Sequence, residues 1–85
     1  MNWEAYDQIV TECRQLGVAK NADYGDASLT SFGVVGTTVR LIEKSERLRV
    51  LLNKGAAVDE TVEDTLKDII NYAIYTIILG RKLLP

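Results

Sequence analysis

The sequence predicts an all-α protein, a small bundle of three main helices completed by homo-oligomerisation. Three observations predict it. Apolar residues recur at helical spacing in three separate segments. The single proline is the last residue, Pro85. Strand signals are weak, since Phe32–Val35 is short and flanked by glycine.

The first segment runs from Trp3 to Leu16. Its apolar residues Trp3, Tyr6, Ile9, Val10, Cys13 and Leu16 form one stripe. Asn2 can cap its start and Gly17 its end. The second runs from Val39 to Leu52, with Leu41, Leu48 and Leu52 on one face and Ser45 between them. Asn53-Lys54-Gly55 gives it a stop. Its start has two readings: a cap at Thr37 or Thr38, or an earlier start near Ser31 that runs through Gly33 and Gly36. The third runs from about Glu60 to Leu83, with Asp59 as N-cap. Glu60, Glu63 and Asp64 lie in its first turns and Arg81 and Lys82 at its end, as the helix dipole favours. Its second half, Ile69–Leu79, is apolar almost all round. A surface helix would show a polar face there, so this one is expected to pack on both sides, one side against another subunit.

Between the first two segments lies Lys20–Gly33, KNADYGDASLTSFG, read as a 14-residue loop. It is polar, has two glycines and holds a tyrosine close to aspartates. Loops on a rigid scaffold often carry function. The bland reading is a connector with Tyr24 and Phe32 plugged into the core.

Composition bounds the rest. A chain of 85 residues is a single domain, 1–85. It buries roughly 60–65% of its unfolded surface, so its own core supplies only a few kcal/mol. With 47% of residues hydrophobic, the surplus predicts self-association. The net charge of −2 is no footprint for duplex nucleic acid. The chain has no histidine, which removes the usual general base and zinc ligand. The one cysteine, Cys13, gives no disulfide framework and reads as a small buried helix residue. MNWEAYDQ is not a signal peptide, and Ile69–Leu79, at 11 residues with Asn71 inside, is short of the roughly 20 a membrane span needs. A soluble, cytoplasmic protein is expected.

Glu43 and Glu46 lie three apart on the second helix. Asp64 and Asp68 lie four apart on the third, in a polar-tipped stripe with Thr61, Asn71, Tyr72 and Tyr75. Asp68 stands beside Ile69 and Ile70 well inside the helix, where aspartate has poor propensity, so something must repay it. Carboxylates on two antiparallel helices can hold Mg²⁺, whose open positions take phosphate. The alternative is ion pairing with Lys44, Arg47, Arg49 and Lys67, such as Glu43–Arg47 and Asp64–Lys67. Arg40, Lys44 and Arg47 share helical spacing and suit phosphates, or are simply solvated.

Taken together, KNADYGDA, VRLIEKSERLRVLL and VEDTLKDIINYAI resemble the nucleotide modification associated domain 1 family, small proteins found largely in phages. Lys20, Asn21, Asp23, Tyr24, Gly25, Phe32, Gly33, Gly36, Arg40, Lys44, Glu46, Arg47, Leu48, Asp64, Asp68, Asn71 and Tyr72 match its pattern, over about residues 18–76. The helical part is more distantly similar to MazG-like nucleoside triphosphate pyrophosphohydrolases. Those bind Mg²⁺ through E-x-x-E on one helix and E-x-x-D on the next. Glu43-x-x-Glu46 fits the first; Asp64-x-x-x-Asp68 is one residue too long, and Thr65 stands three before Asp68.

The resemblance implies a ligand-facing role for Lys20–Gly33. Lys20 would meet phosphate, Asn21 and Asp23 would read base or ribose edges, Tyr24 would stack on a base, and Gly25 would let the backbone turn. Three functions follow. The first is binding of a nucleotide-class ligand without turnover, for nucleotide handling or for sequestering a nucleotide signal of host immunity in the host cytoplasm. Arg40, Lys44 and Arg47 would join Lys20 on the phosphates, with Trp3 a second stacking candidate. The second is Mg²⁺-dependent pyrophosphohydrolysis, with the metal on Glu43, Glu46, Asp64 and Asp68. The third is an adaptor that binds a protein through the apolar C-terminal helix.

Overall fold

The structure, a computed structural model, describes residues 1–54 and 59–83. Among these are four helices and no strand: α1 Trp3–Tyr24, α2 Ala27–Thr30, α3 Gly33–Asn53 and α4 Asp59–Gly80. α3 and α4 form the most extensive pairing; α2 packs on α3, and α1 meets α4 over a much smaller area. The all-α class and the bundle are as the sequence predicts. No helix among the described residues is long and apolar enough to cross a membrane.

α1 starts where expected. The Asn2 side-chain oxygen accepts the Ala5 N–H at 3.0 Å, satisfying one donor that a helix start leaves open. It does not stop at Gly17. A Cβ on Gly17 would lie 2.6 Å from the Tyr75 hydroxyl and 3.4 Å from the Asn71 amide nitrogen. Glycine therefore serves there for close approach of α1 to α4, not as a cap. The terminator is Gly25, at φ 76 and ψ 164, a region essentially reserved for glycine. Its N–H donates to the Asn21 carbonyl at 2.8 Å.

The expected loop Lys20–Gly33 is thus mostly helical. It comprises the last turn of α1, a tight turn at Gly25, the short α2, and a second turn into α3 at Gly33, whose φ is 58. The Ser28 hydroxyl donates to the Gly25 carbonyl at 2.9 Å and pins the first turn. α3 takes the earlier of its two possible starts and ends at Asn53, as the stop signal predicts. Gly55, the last residue of that signal, lies outside the described residues, as do the side chains of Asp59, Glu60 and Thr61.

The interior is unusual. Among the described residues the only buried hydrophobic side chain is Cys13, while Thr37, Thr65, Asp68 and Asn71 are buried and polar. The α1 stripe is corrected accordingly: Trp3, Tyr6, Ile9 and Val10 are exposed, because α1 reaches α4 only over a short crossing. There the Asn71 amide donates to the Cys13 carbonyl at 2.9 Å. The Thr37 and Thr76 hydroxyls, 2.8 Å apart, join α3 to α4. These hydrogen bonds, worth about 1 kcal/mol each, satisfy polar groups that the packing of the helices buries.

Candidate functional site

The end of α1, α2, the first half of α3 and the middle of α4 enclose an open cleft of about 920 Å³. Gly25 and Gly33 make it. By turning the chain twice they set the short α2 against α3, with Ser28 and Leu29 in the cleft lining.

Asp68 projects from α4 into this cleft. Its two carboxylate oxygens are divided between helices: Oδ1 meets Lys20 Nζ of α1 at 2.8 Å and Oδ2 meets Lys44 Nζ of α3 at 3.1 Å. Burial pushes the Asp68 carboxyl up, but the hydrogen bonds from Lys20 and Lys44 outweigh it and hold the group below its ordinary value. The same bond to Asp68 raises Lys20 above its own. This is what repays an aspartate in mid-helix. Lys20 keeps about half of its side-chain surface open, and its ammonium has two further donors for a ligand.

Asn21, Tyr24 and Arg40 also line the cleft. The Asn21 amide N–H donates to Asp26 Oδ1 at 2.9 Å, and that carboxylate fixes which way the amide faces. Asn21 Oδ1 is left buried with no hydrogen-bond partner among the described residues, a costly state for an acceptor. Arg40 is largely exposed and pairs with Glu43 at 3.6 Å. Tyr24 and Phe32 are exposed aromatics at the cleft. The connector reading, in which both plug the core, is therefore corrected: Tyr24 beside the Gly25 turn and Phe32 ahead of the Gly33 turn are both left exposed. Deeper in, Tyr72 and Tyr75 meet edge to face, centroids 5.8 Å apart. Burial first, and then Tyr72, raise the Tyr75 phenol.

The remaining expected residues are elsewhere. Asp23 is exposed and does not line the cleft. Gly25 shapes the turn without lining it. Lys44 acts on the cleft through Asp68, and Arg47 is exposed outside it. Trp3 does not line it either, and packs edge-on against Tyr6.

The four carboxylates do not converge. Glu46 forms a bidentate pair with Arg49, its nearest N–O distance 2.6 Å; Asp68 is shared by two lysines; only Glu43 and Asp68 line the cleft. Among the described residues no group of three or more His, Cys, Asp or Glu could hold a metal ion. The donor set does not fit Mg²⁺, since both Asp68 oxygens already face ammonium groups. The expected helix pairs also rearrange: Glu43 turns to Arg40, and Lys67 reaches Glu12 of α1 at 3.4 Å and Glu63 at 3.7 Å.

Sequence spacing missed Phe32, Val35 and Val39 as cleft residues. Their spacing of three and four was the available signal, and it does not by itself tell a cleft face from a core face.

The description of the nucleotide modification associated domain 1 family matches residues 20–79, well over half of the chain. The chain belongs to that family. The nucleotide modification associated domain therefore comprises the end of α1 and all of α2, α3 and nearly all of α4, which are the elements that wall the cleft. Most of the free part of α1, with Trp3 and Tyr6, lies outside it. No curated protein and no solved structure matches the chain, and none of the comparisons returned a MazG-like protein.

Proposed function

We propose that this protein binds a nucleotide-class ligand in the cleft and does not turn it over. The observation that carries the reading is the pairing of two accessible cations, Lys20 and Arg40, with two exposed aromatic rings, Tyr24 and Phe32, around one 920 Å³ space. Cations and rings are the two demands of a nucleotide: charge for phosphate and a face for the base. The volume lies in the range typical of small-ligand sites. The family's association with nucleotide modification supports the same class.

In this reading phosphate oxygens meet Lys20 and Arg40, while Asp68 and Lys44 hold Lys20 in place. The base lies against Tyr24 or Phe32. Asn21 Oδ1 takes a donor from the base once α2 shifts to admit it. A homo-oligomer in the cytoplasm, in a phage-infected host, would handle modified nucleotides or sequester a nucleotide signal of host immunity. Binding needs the cleft alone; hydrolysis would need carboxylates gathered on a metal, and here Glu43, Glu46 and Asp68 each face a cation instead.

The test is a thermal-shift screen against mononucleotides, cyclic dinucleotides and ADP-ribose-type molecules, with and without Mg²⁺, followed by chemical analysis of the recovered ligand. At 100 times Kd a ligand stabilises by about 2.7 kcal/mol, a shift of roughly ten degrees or more for a domain of this size. A shift without Mg²⁺ and an intact ligand is expected. Mg²⁺-dependent loss of the ligand would replace this reading with the hydrolase. No shift with any member would replace it with the adaptor.

A further inference from the structure

The chain exposes more surface than a compact protein of its mass. Its accessible area is 6453 Å², against about 5,000 Å² expected for a folded monomer of 9.5 kDa. Its radius of gyration is 13.8 Å, against roughly 12 Å. The excess, roughly 1,400 Å², exceeds the ~800 Å² that each partner gives to a standard interface.

Part of that excess is ordered in a way that names its occupant. Phe32 is 82% exposed, Val35 72%, Val39 47% and Ile42 63%. Their steps are three, four and three, the seam spacing by which one helix packs along another. Glu46 and Arg49 continue the same line and pair with each other, so the apolar seam stops where charge begins. Three of the four seam residues, Phe32, Val35 and Val39, also line the cleft.

We infer that a second copy of this chain docks on the Phe32–Val35–Val39–Ile42 seam and forms the missing wall of the cleft. Like packs on like through a two-fold axis, so each chain offers the same seam and each closes the other's cleft. Nineteen large hydrophobic side chains are exposed among the described residues, and this seam is the set among them that is both continuous and shared with the cleft. The interface stands on exposure, spacing and area. Only the wall it gives the cleft rests on the nucleotide reading. With the wall in place, a base stacked on Phe32 is shielded from water on its far side, so the assembled form binds more tightly than one chain alone.

The experiment compares three proteins by sedimentation equilibrium at micromolar concentration: the wild type, Ile42→Glu on the seam, and Ile70→Glu on the outer face of α4. Ile42 does not line the cleft, and circular dichroism verifies that each variant is helical. The wild type and Ile70→Glu should sediment at twice the 9.5 kDa chain mass or a multiple of it, and Ile42→Glu at the single mass. A monomeric wild type, an assembled Ile42→Glu, or a monomeric Ile70→Glu, which would put the contact on the exposed Leu66–Ile70–Ile74–Ile77 stripe of α4, overturns the interface. If Ile42→Glu does not fold, the single variants Val35→Cys, Val39→Cys and Ile42→Cys are treated with a bismaleimide, which spans residues set back from the two-fold axis. A cross-linked pair of chains at any of the three supports the interface, and failure at all three overturns it. The probe that gives the largest thermal shift is then titrated into wild type and Ile42→Glu. At least tenfold weaker binding to the single chain supports the wall. Equal binding overturns the wall and leaves the nucleotide reading intact. Assembly with no nucleotide bound by either protein overturns the wall with the nucleotide reading and leaves the interface standing.

Discussion

Lys20 of α1 reaches Asp68 of α4 at 2.8 Å, across 48 positions of sequence. The same carboxylate takes Lys44 of α3 on its other oxygen at 3.1 Å. One buried acid thus ties three helices together and aims a lysine into the cleft. This contact serves both the fold and the site, and most of what can be tested follows from it.

Replacing Asp68 with alanine leaves two ammonium groups facing each other with no counter-charge. A fully enclosed pair broken this way costs about 3–5 kcal/mol. Lys20 is half exposed, so water screens it and the expected cost falls to about 1–3 kcal/mol. Urea unfolding of Asp68→Ala measures it. A midpoint equal to that of the wild type would remove Asp68 from its organising role.

Gly17 sets the distance between α1 and α4. Leucine there pushes against Tyr75 and Asn71 and breaks the 2.9 Å bond from Asn71 to the Cys13 carbonyl. Overpacking of this kind costs about 1–3 kcal/mol. Cys13, 1% exposed in the wild type, becomes accessible. Burial also raises its thiol pKa, so the wild-type cysteine should react slowly with a thiol reagent at pH 8. Gly17→Leu should react many times faster, and equal rates would mean that the crossing tolerates the side chain.

Gly25 takes a backbone conformation that other residues adopt only under strain. Nothing lies within 4 Å of a Cβ placed there, so the cost of Gly25→Ala is conformational alone, about 1–3 kcal/mol. Thermal unfolding of Gly25→Ala beside Ala27→Gly separates this effect from general weakening of α2. No loss in Gly25→Ala would mean that the turn can be made another way.

Stability should be level through neutral pH and fall on both sides. Asp68 has its carboxyl lowered from 3.8, so its contribution is present above that value and is lost as pH falls through the lower, folded one. Cys13, Tyr75 and Lys20 are all raised, from 9.0, 10.0 and 10.5. Their contributions are present below those values and are lost as pH rises through the folded ones. Melting temperatures from pH 2 to 11 trace both arms. In Asp68→Asn the acid arm should flatten; an unchanged acid arm would assign it to other carboxylates.

The three long helices were legible in the sequence, because periodicity reports which residues repeat on one face; the four-residue α2 is too short to show a period. The Asn2 cap and the stop at Asn53 were legible for the same local reason. Gly17 was misread because a glycine that ends a helix and one that lets two helices touch look alike until the partner is known. Tyr75, the residue that needs the space, lies 58 positions away. Lys20–Gly33 looked like a loop because it is polar and holds glycines, yet Gly25 and Gly33 only turn the chain between helical pieces. For the site, Lys20, Asn21, Tyr24 and Arg40 line one cleft, and Asp68 stands there as the partner of two lysines and not as the metal ligand its spacing suggested. The proposed carboxylate cluster does not form, because helical spacing fixes the face of a side chain and not the partner it meets. Glu46 found Arg49 on its own helix, and Asp68 found lysines on two others.

The most direct measurement is calorimetric titration of the best-shifting nucleotide into the wild type and into Lys20→Met/Arg40→Met, each assayed without Mg²⁺. Hydrogen bonds to charged groups are worth about 1.5–3 kcal/mol each, so the double variant should bind at least tenfold more weakly while keeping its helical spectrum. Binding of equal strength in the two proteins would contradict a nucleotide held by its phosphates in this cleft.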